Sequence, residues 1–124
     1  MKKKILIVED EESLLKLESI LFFSRGYEVI AVADGMAALD VLARERVDLV
    51  LLDVMLPEID GVEICRRIKE SPLTRRIPVI MLTAKKNQED MACADAVGAD
   101  WYITKPFKST KVIEVVERFI NAKT

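Results

Sequence analysis

The sequence predicts an α/β domain built on an open, doubly wound parallel sheet of five strands, and three observations carry that prediction. Five short runs rich in β-branched and long aliphatic residues recur at regular intervals: "KILIVE", "YEVIAV", "DLVLLD", "PVIML" and "DWYIT". At least three of them are apolar throughout rather than alternating, as strands covered by helices on both faces are. The segments between the runs have helical spacing and enough length for right-handed crossovers between parallel neighbours. At 124 residues the chain has the size of one domain with one hydrophobic core, and residues 1–124 read as a single unit without linker, repeat or low-complexity tract.

The elements follow in order. After the first run, helical spacing extends from Glu12 to Arg25 and closes at Gly26; after the second it extends from Asp34 to Arg44, with Asp34 as N-cap. The third run leads to a helix from Asp60 to Glu70, with Asp60 as N-cap, and Pro72 and Pro78 then mark the loop before the fourth run. A fourth helix is expected from Asn87 to Val97, ended by Gly98. The fifth run precedes a last helix from Ser109 to Ala122, with Ser109 as N-cap and Val112, Val115, Val116 and Phe119 as its apolar stripe. The default topology for (βα) repeated five times is strand order 2-1-3-4-5 or a relative of it.

Composition narrows the function. Apolar residues make up 51% and charged residues 32%, and a formal charge of −2 gives no electrostatic case for nucleic acid or an anionic membrane. The opening "MKKKILIVEDEE" reaches acidic residues after about five apolar ones, too few for a signal peptide core or a membrane span, so a cytoplasmic location is expected. There is no histidine, which rules out a histidine-based triad or shuttle, and Cys65 and Cys93 lack zinc-site spacing and read as small apolar helix residues.

In a doubly wound sheet ligands bind beyond the carboxyl ends of the strands, where strand order reverses. The residues there are Glu9 and Asp10 after the first strand, Asp53 ending the third, Thr83 ending the fourth, and Lys105 with Pro106 after the fifth. Three carboxylates so close repel one another unless a cation neutralises them, and Mg²⁺ suits a site of one or two carboxylates, waters and a phosphate. Lys105 adds a point positive charge and Thr83 a hydroxyl donor, so the set contains what holds a phosphoryl group in line while it moves to an aspartate. Asp53, on the central strand, is the best-placed acceptor. Taken singly, Glu9, Asp10, Thr83 and Lys105 also read as capping or loop-solvating residues; Asp53 followed by apolar "VML" gains little from solvation.

Together, "ILIVEDEE", "DLVLLDVMLPEIDG", "PVIMLTA" and "GADWYITKPF" resemble the receiver domains of two-component response regulators, whose smallest members are the single-domain chemotaxis regulators. The resemblance spans the whole chain and implies a flavodoxin-like fold. It implies that Asp53 is the phosphoacceptor, that Glu9 and Asp10 serve Mg²⁺, and that the backbone carbonyl of Met55 completes the protein ligands. It further implies that Thr83 bonds the phosphoryl group, that Lys105 pairs with it, and that the Lys105–Pro106 bond is cis. Pro57 and Gly61 would shape the loop after Asp53. Glu9, where the family more often has aspartate, is expected to order a metal-bound water, and Met55 and Lys85 fall where the family tunes hydrolysis of the acyl phosphate. Tyr102 falls at the family's aromatic switch position, which alters the face made by the fourth helix, fifth strand and fifth helix; its plainer reading is a half-buried strand aromatic.

The first helix carries Leu14, Leu15, Leu17, Ile20, Leu21, Phe22 and Phe23, more apolar residues than one buried face needs. The resemblance implies that this helix docks on a sensor histidine kinase or phosphotransfer protein, with a downstream protein or self-association at the switch face; the alternative is a generously buried helix. The chain is then a signalling module rather than an enzyme. An aspartate-nucleophile phosphatase would want an acid where Met55 stands, and a flavin protein a phosphate cradle where "EDEE" is anionic. A constitutive adaptor on the same fold, and a receiver cut from a regulator with a DNA-binding or enzymatic output domain, remain open.

Overall fold

A computed structural model describes residues 2–84 and 96–121. The predicted helix from Asn87 to Val97 therefore falls outside the described residues except for its last two, as do Lys85 and Cys93. The described elements are β1 (Lys4–Val8), α1 (Glu12–Phe23), β2 (Glu28–Val32), α2 (Gly35–Arg44), β3 (Leu49–Asp53), α3 (Gly61–Glu70), β4 (Val79–Ala84), β5 (Trp101–Lys105) and the C-terminal helix, here α4 (Ser109–Ile120).

All five strands are parallel in the order β2-β1-β3-β4-β5. β3 is buried at every residue, because it is central and covered on both faces, whereas the edge strands β2 and β5 each carry exposed positions. Alternation along the strands sorts the core into two layers. Leu6, Val50, Leu52 and Met81 face α2 and α3, meeting Ala38, Ile64 and Ile68; Ile5, Ile7, Leu51 and Leu82 face α1 and α4, meeting Phe22, Val112 and Val116. At about 1.5–3 kcal/mol for each large aliphatic side chain taken out of water, these layers dominate the favourable side of folding.

The helix ends follow local chemistry. Asp34 accepts a hydrogen bond from the Ala37 N–H at 2.8 Å and Asp60 one from the Glu63 N–H at 2.9 Å, as their N-cap reading requires. Ser109 does not cap: the extended residue before the last helix is Lys108, which makes no side-chain cap bond, and Ser109 is already the first helical residue, so it does not have the non-helical backbone that turns a cap side chain onto the free N–H groups. α1 stops at Phe23 rather than Arg25. Gly26, with φ +94°, donates its N–H to the Phe23 carbonyl at 3.1 Å, and Arg25 leaves the helix to make a two-pronged pair with Glu117 of α4 at 2.9 and 3.1 Å.

Candidate functional site

The register delivers the site. Val8 lies opposite Leu52 and Asp53 opposite Leu82, so the residue that ends β3, the acids that follow β1 and the end of β4 meet at one sheet edge. Lys105 is the last residue of β5 itself, opposite Ala84, and the Lys105–Pro106 peptide bond is cis. A cavity of about 520 Å³ opens there, lined by Glu9, Asp10, Asp53, Met55, Pro57 and Lys105 among others.

Asp53 is only 2% exposed. Its Oδ1 accepts the Met55 N–H at 3.0 Å and its Oδ2 accepts Lys105 Nζ at 2.9 Å. The loop is pinned behind it by Gly61, whose N–H donates to the Val54 carbonyl at 2.8 Å; a Cβ at Gly61 would run into the Asp53 carbonyl oxygen and come within 2.7 Å of the Val54 Cα. Only glycine allows that approach.

Glu9 is as buried as Asp53. Its Oε2 accepts the Glu11 N–H at 3.1 Å, while Oε1 lies 3.8 Å from Lys105 Nζ and has no hydrogen-bond partner. Burial, reinforced by the neighbouring Asp53 carboxylate, raises the Glu9 pKa to about 7 against the opposing Glu11 N–H and Lys105. Burial pulls the Lys105 ammonium down, but the bond and charge of Asp53, with Glu9 and Glu18 behind, outweigh it and leave its pKa raised.

Carboxylate oxygens of Glu9, Asp10 and Asp53 lie within 4.8 Å of one another. With an unpartnered Glu9 oxygen among them, this is a donor set of hard oxygens that fits a divalent cation. Thr83 is also buried at the same edge, and its Oγ1 has no partner. Met55 stands 64% exposed at the mouth.

Two other predicted features lie apart from the cavity. Tyr102 is half-buried in β5 against the core layer shared with α2 and α3. On α1, Phe22 is buried while Leu17, Ile20 and Phe23 stand 47, 59 and 71% exposed, one outward stripe. Glu18 was missed by reading strand ends alone. It lies between Leu15 and Phe22 on the inward stripe, fully buried, and its signal was an acid at a position the helical period reserves for an apolar residue.

Known proteins are similar over most of this length. The family model for the response regulator receiver domain matches residues 5–117. The alkaline phosphatase synthesis transcriptional regulatory protein PhoP of Bacillus subtilis (strain 168) is 44% identical over 112 residues, covering 90% of this chain and 46% of that protein. The chain spans about half the length of the curated relatives it matches. Among solved structures, the chemotaxis response regulator CheY4 of Vibrio cholerae superposes with a TM-score of 0.90 at 29% identity, covering 96% of this chain and 99% of that one. The receiver domain of the sensor histidine kinase PA1611 from Pseudomonas aeruginosa PAO1, described with a magnesium ion coordinated in its active site cleft, gives 0.89 at 34%, covering 98 and 100%. The five-stranded fold with its order β2-β1-β3-β4-β5 is theirs, and the chain belongs to the response regulator receiver domain family of two-component systems.

Proposed function

We propose that this domain accepts a phosphoryl group on Asp53 from the phosphohistidine of a sensor kinase or phosphotransfer protein and changes a binding surface in response. The observation that carries the reading is the Asp53 carboxylate, buried on the central strand, bonded by Lys105 at 2.9 Å and flanked by Glu9 and Asp10 within cation-sharing distance. An Asp53 oxygen attacks phosphorus, the P–O bond forms as the P–N bond to the donor imidazole breaks, and the imidazole keeps that bond's electron pair. The Met55 N–H fixes the carboxylate's rotation. Lys105 passes from Asp53 Oδ2 to an oxygen of the arriving phosphoryl group, and the free hydroxyl of Thr83 donates to another.

Glu9, Asp10, Asp53 and the backbone at Met55 would hold Mg²⁺, which when bound supplies positive charge that offsets the repulsion between acids and phosphoryl oxygens. Movement of Thr83 toward the phosphoryl group would free space behind it for Tyr102, shifting the population of two packings at β5 and the C-terminal helix. Leu17, Ile20 and Phe23 would dock on the helices of the donor. The named function and greater length of the PhoP relative favour a second reading of the output, in which the recipient is a segment joined to the receiver rather than a separate protein.

The test is intact mass after incubation with acetyl phosphate, with and without Mg²⁺, for the native protein and Asp53→Ala. A gain of one phosphoryl group requiring both Mg²⁺ and Asp53 is expected. No gain under any condition would leave a constitutive adaptor.

A further inference from the structure

Met36, Met55 and Met81 are the methionines among the described residues, and their surroundings differ. Met81 is sealed in β4 with no exposure, whereas Met36 at the start of α2 and Met55 in the loop after β3 stand 52 and 64% exposed. Of the three, Met55 alone lines the phosphoacceptor cavity. Its N–H is bonded to Asp53 Oδ1 at 3.0 Å, which holds its backbone against the carboxylate while its side chain stands in solvent at the mouth. That side chain belongs to neither core layer, so packing does not account for it. Its sulfur is open to whatever reaches Asp53 through solvent.

We propose that Met55 is an oxidation site through which peroxides shorten the life of the phosphorylated state. The proposal rests on the reading of Asp53 as phosphoacceptor. A sulfur lone pair attacks one oxygen of hydrogen peroxide, and the S–O bond forms as the O–O bond breaks. The transferred oxygen gives up its proton to the departing hydroxide, leaving a sulfoxide and water; sulfur is oxidised and the peroxide reduced. A thioether is a weak acceptor, whereas the sulfoxide is polar and carries an oxygen that accepts a hydrogen bond well. On a backbone fixed beside Asp53, that oxygen holds a water for attack on phosphorus. The water oxygen bonds phosphorus as the P–O bond to Asp53 breaks, the carboxylate keeps the electron pair, and the released proton passes to solvent. One hydrogen bond gained in the transition state corresponds to about two- to tenfold in rate.

The experiment treats the full chain with hydrogen peroxide and maps the added oxygen by peptide mass. Oxidised and untreated protein are then loaded from acetyl phosphate with Mg²⁺, and loss of the phosphoryl mass is followed after the donor is removed. Met55→Leu and Met36→Leu are treated alike, each compared with its own untreated form. Oxidation at Met55 is expected, with the phosphoryl lifetime shortened about two- to tenfold in the native protein and in Met36→Leu but not in Met55→Leu. Methionine sulfoxide reductases for both sulfoxide epimers are expected to restore the lifetime. An equal or longer lifetime in the oxidised native protein overturns the proposal. So does a Met55 that peroxide leaves unmodified, or a Met55→Leu form shortened as much as the native one. If the untreated native protein takes up no phosphoryl group, the reading of Asp53 fails and the proposal with it, a result distinct from a loaded protein whose lifetime peroxide does not change.

Discussion

Two buried carboxyls set how this protein responds to pH. Burial, then Asp53, holds Glu9 at about 7, and burial, then Glu9, holds Glu18 at about 8, both above the ordinary 4.5. The native state therefore keeps protons that the unfolded chain releases. Stability from these two groups is fully present below about pH 4.5 and is lost as pH rises through 7 and 8, on the order of a few kcal/mol in all. In Mg²⁺-free buffer the melting temperature is expected to fall between pH 5 and 8, and Glu18→Leu to lessen that fall throughout and to remove the part above pH 7; an unchanged slope in the variant would contradict the assignment of the shift to Glu18. Glu63, held at about 2 by hydrogen bonds from Arg66 and Arg67, acts in the opposite sense and only at lower pH. At the mouth of the site, Met55 has no polar side-chain group able to orient an attacking water. Met55→Asn is expected to shorten the phosphoryl lifetime severalfold, measured as loss of the added mass after the donor is removed; an equal lifetime would remove Met55 from that role.

At the scale of elements, the turn from β3 into α3 and the outer stripe of α1 make separable predictions. Gly61→Ala places a methyl group against backbone atoms of Asp53 and Val54, which cannot rotate away. It is expected to cost about 1–3 kcal/mol in urea unfolding, as overpacking does, and to slow phosphoryl uptake by moving Asp53. Equal midpoints would show that the loop yields freely. Ile20→Ser or Phe23→Ser, at positions where the side chain already meets solvent, is expected to change stability by no more than about 0.5 kcal/mol. Both should leave uptake from acetyl phosphate intact and impair transfer from a phosphorylated kinase. Loss of both transfers together would mean that the stripe supports the site rather than a partner. The caps at Asp34 and Asp60 were legible because a side-chain oxygen before a helical run has one obvious use. Ser109 was misread by one position because Lys108 and Ser109 both precede the apolar stripe, and only backbone angles decide which residue is outside the helix.

For the whole molecule, Mg²⁺ that binds only the folded chain is expected to stabilise it by about 2.7 kcal/mol at a hundred times its dissociation constant, and Asp53→Ala to abolish most of that gain. A melting temperature indifferent to Mg²⁺ would mean that the acids do not form a cation site. The sequence by itself determined the α/β class, narrowed the strand order to 2-1-3-4-5 or a relative of it, and marked the sheet edge at which Glu9, Asp10, Asp53, Thr83 and Lys105 gather, because apolar runs and helical spacing are local and parallel strands with short crossovers leave few arrangements. It also marked α1 as too apolar for one buried face. Tertiary structure alone decided which residues of that helix face outward, which of the site's oxygens lack partners, and that Glu18 is fully buried. The physical reason is that burial and the satisfaction of a polar atom depend on neighbours distant in the chain: Asp53, ending one strand, takes its hydrogen bond from Lys105, which ends another.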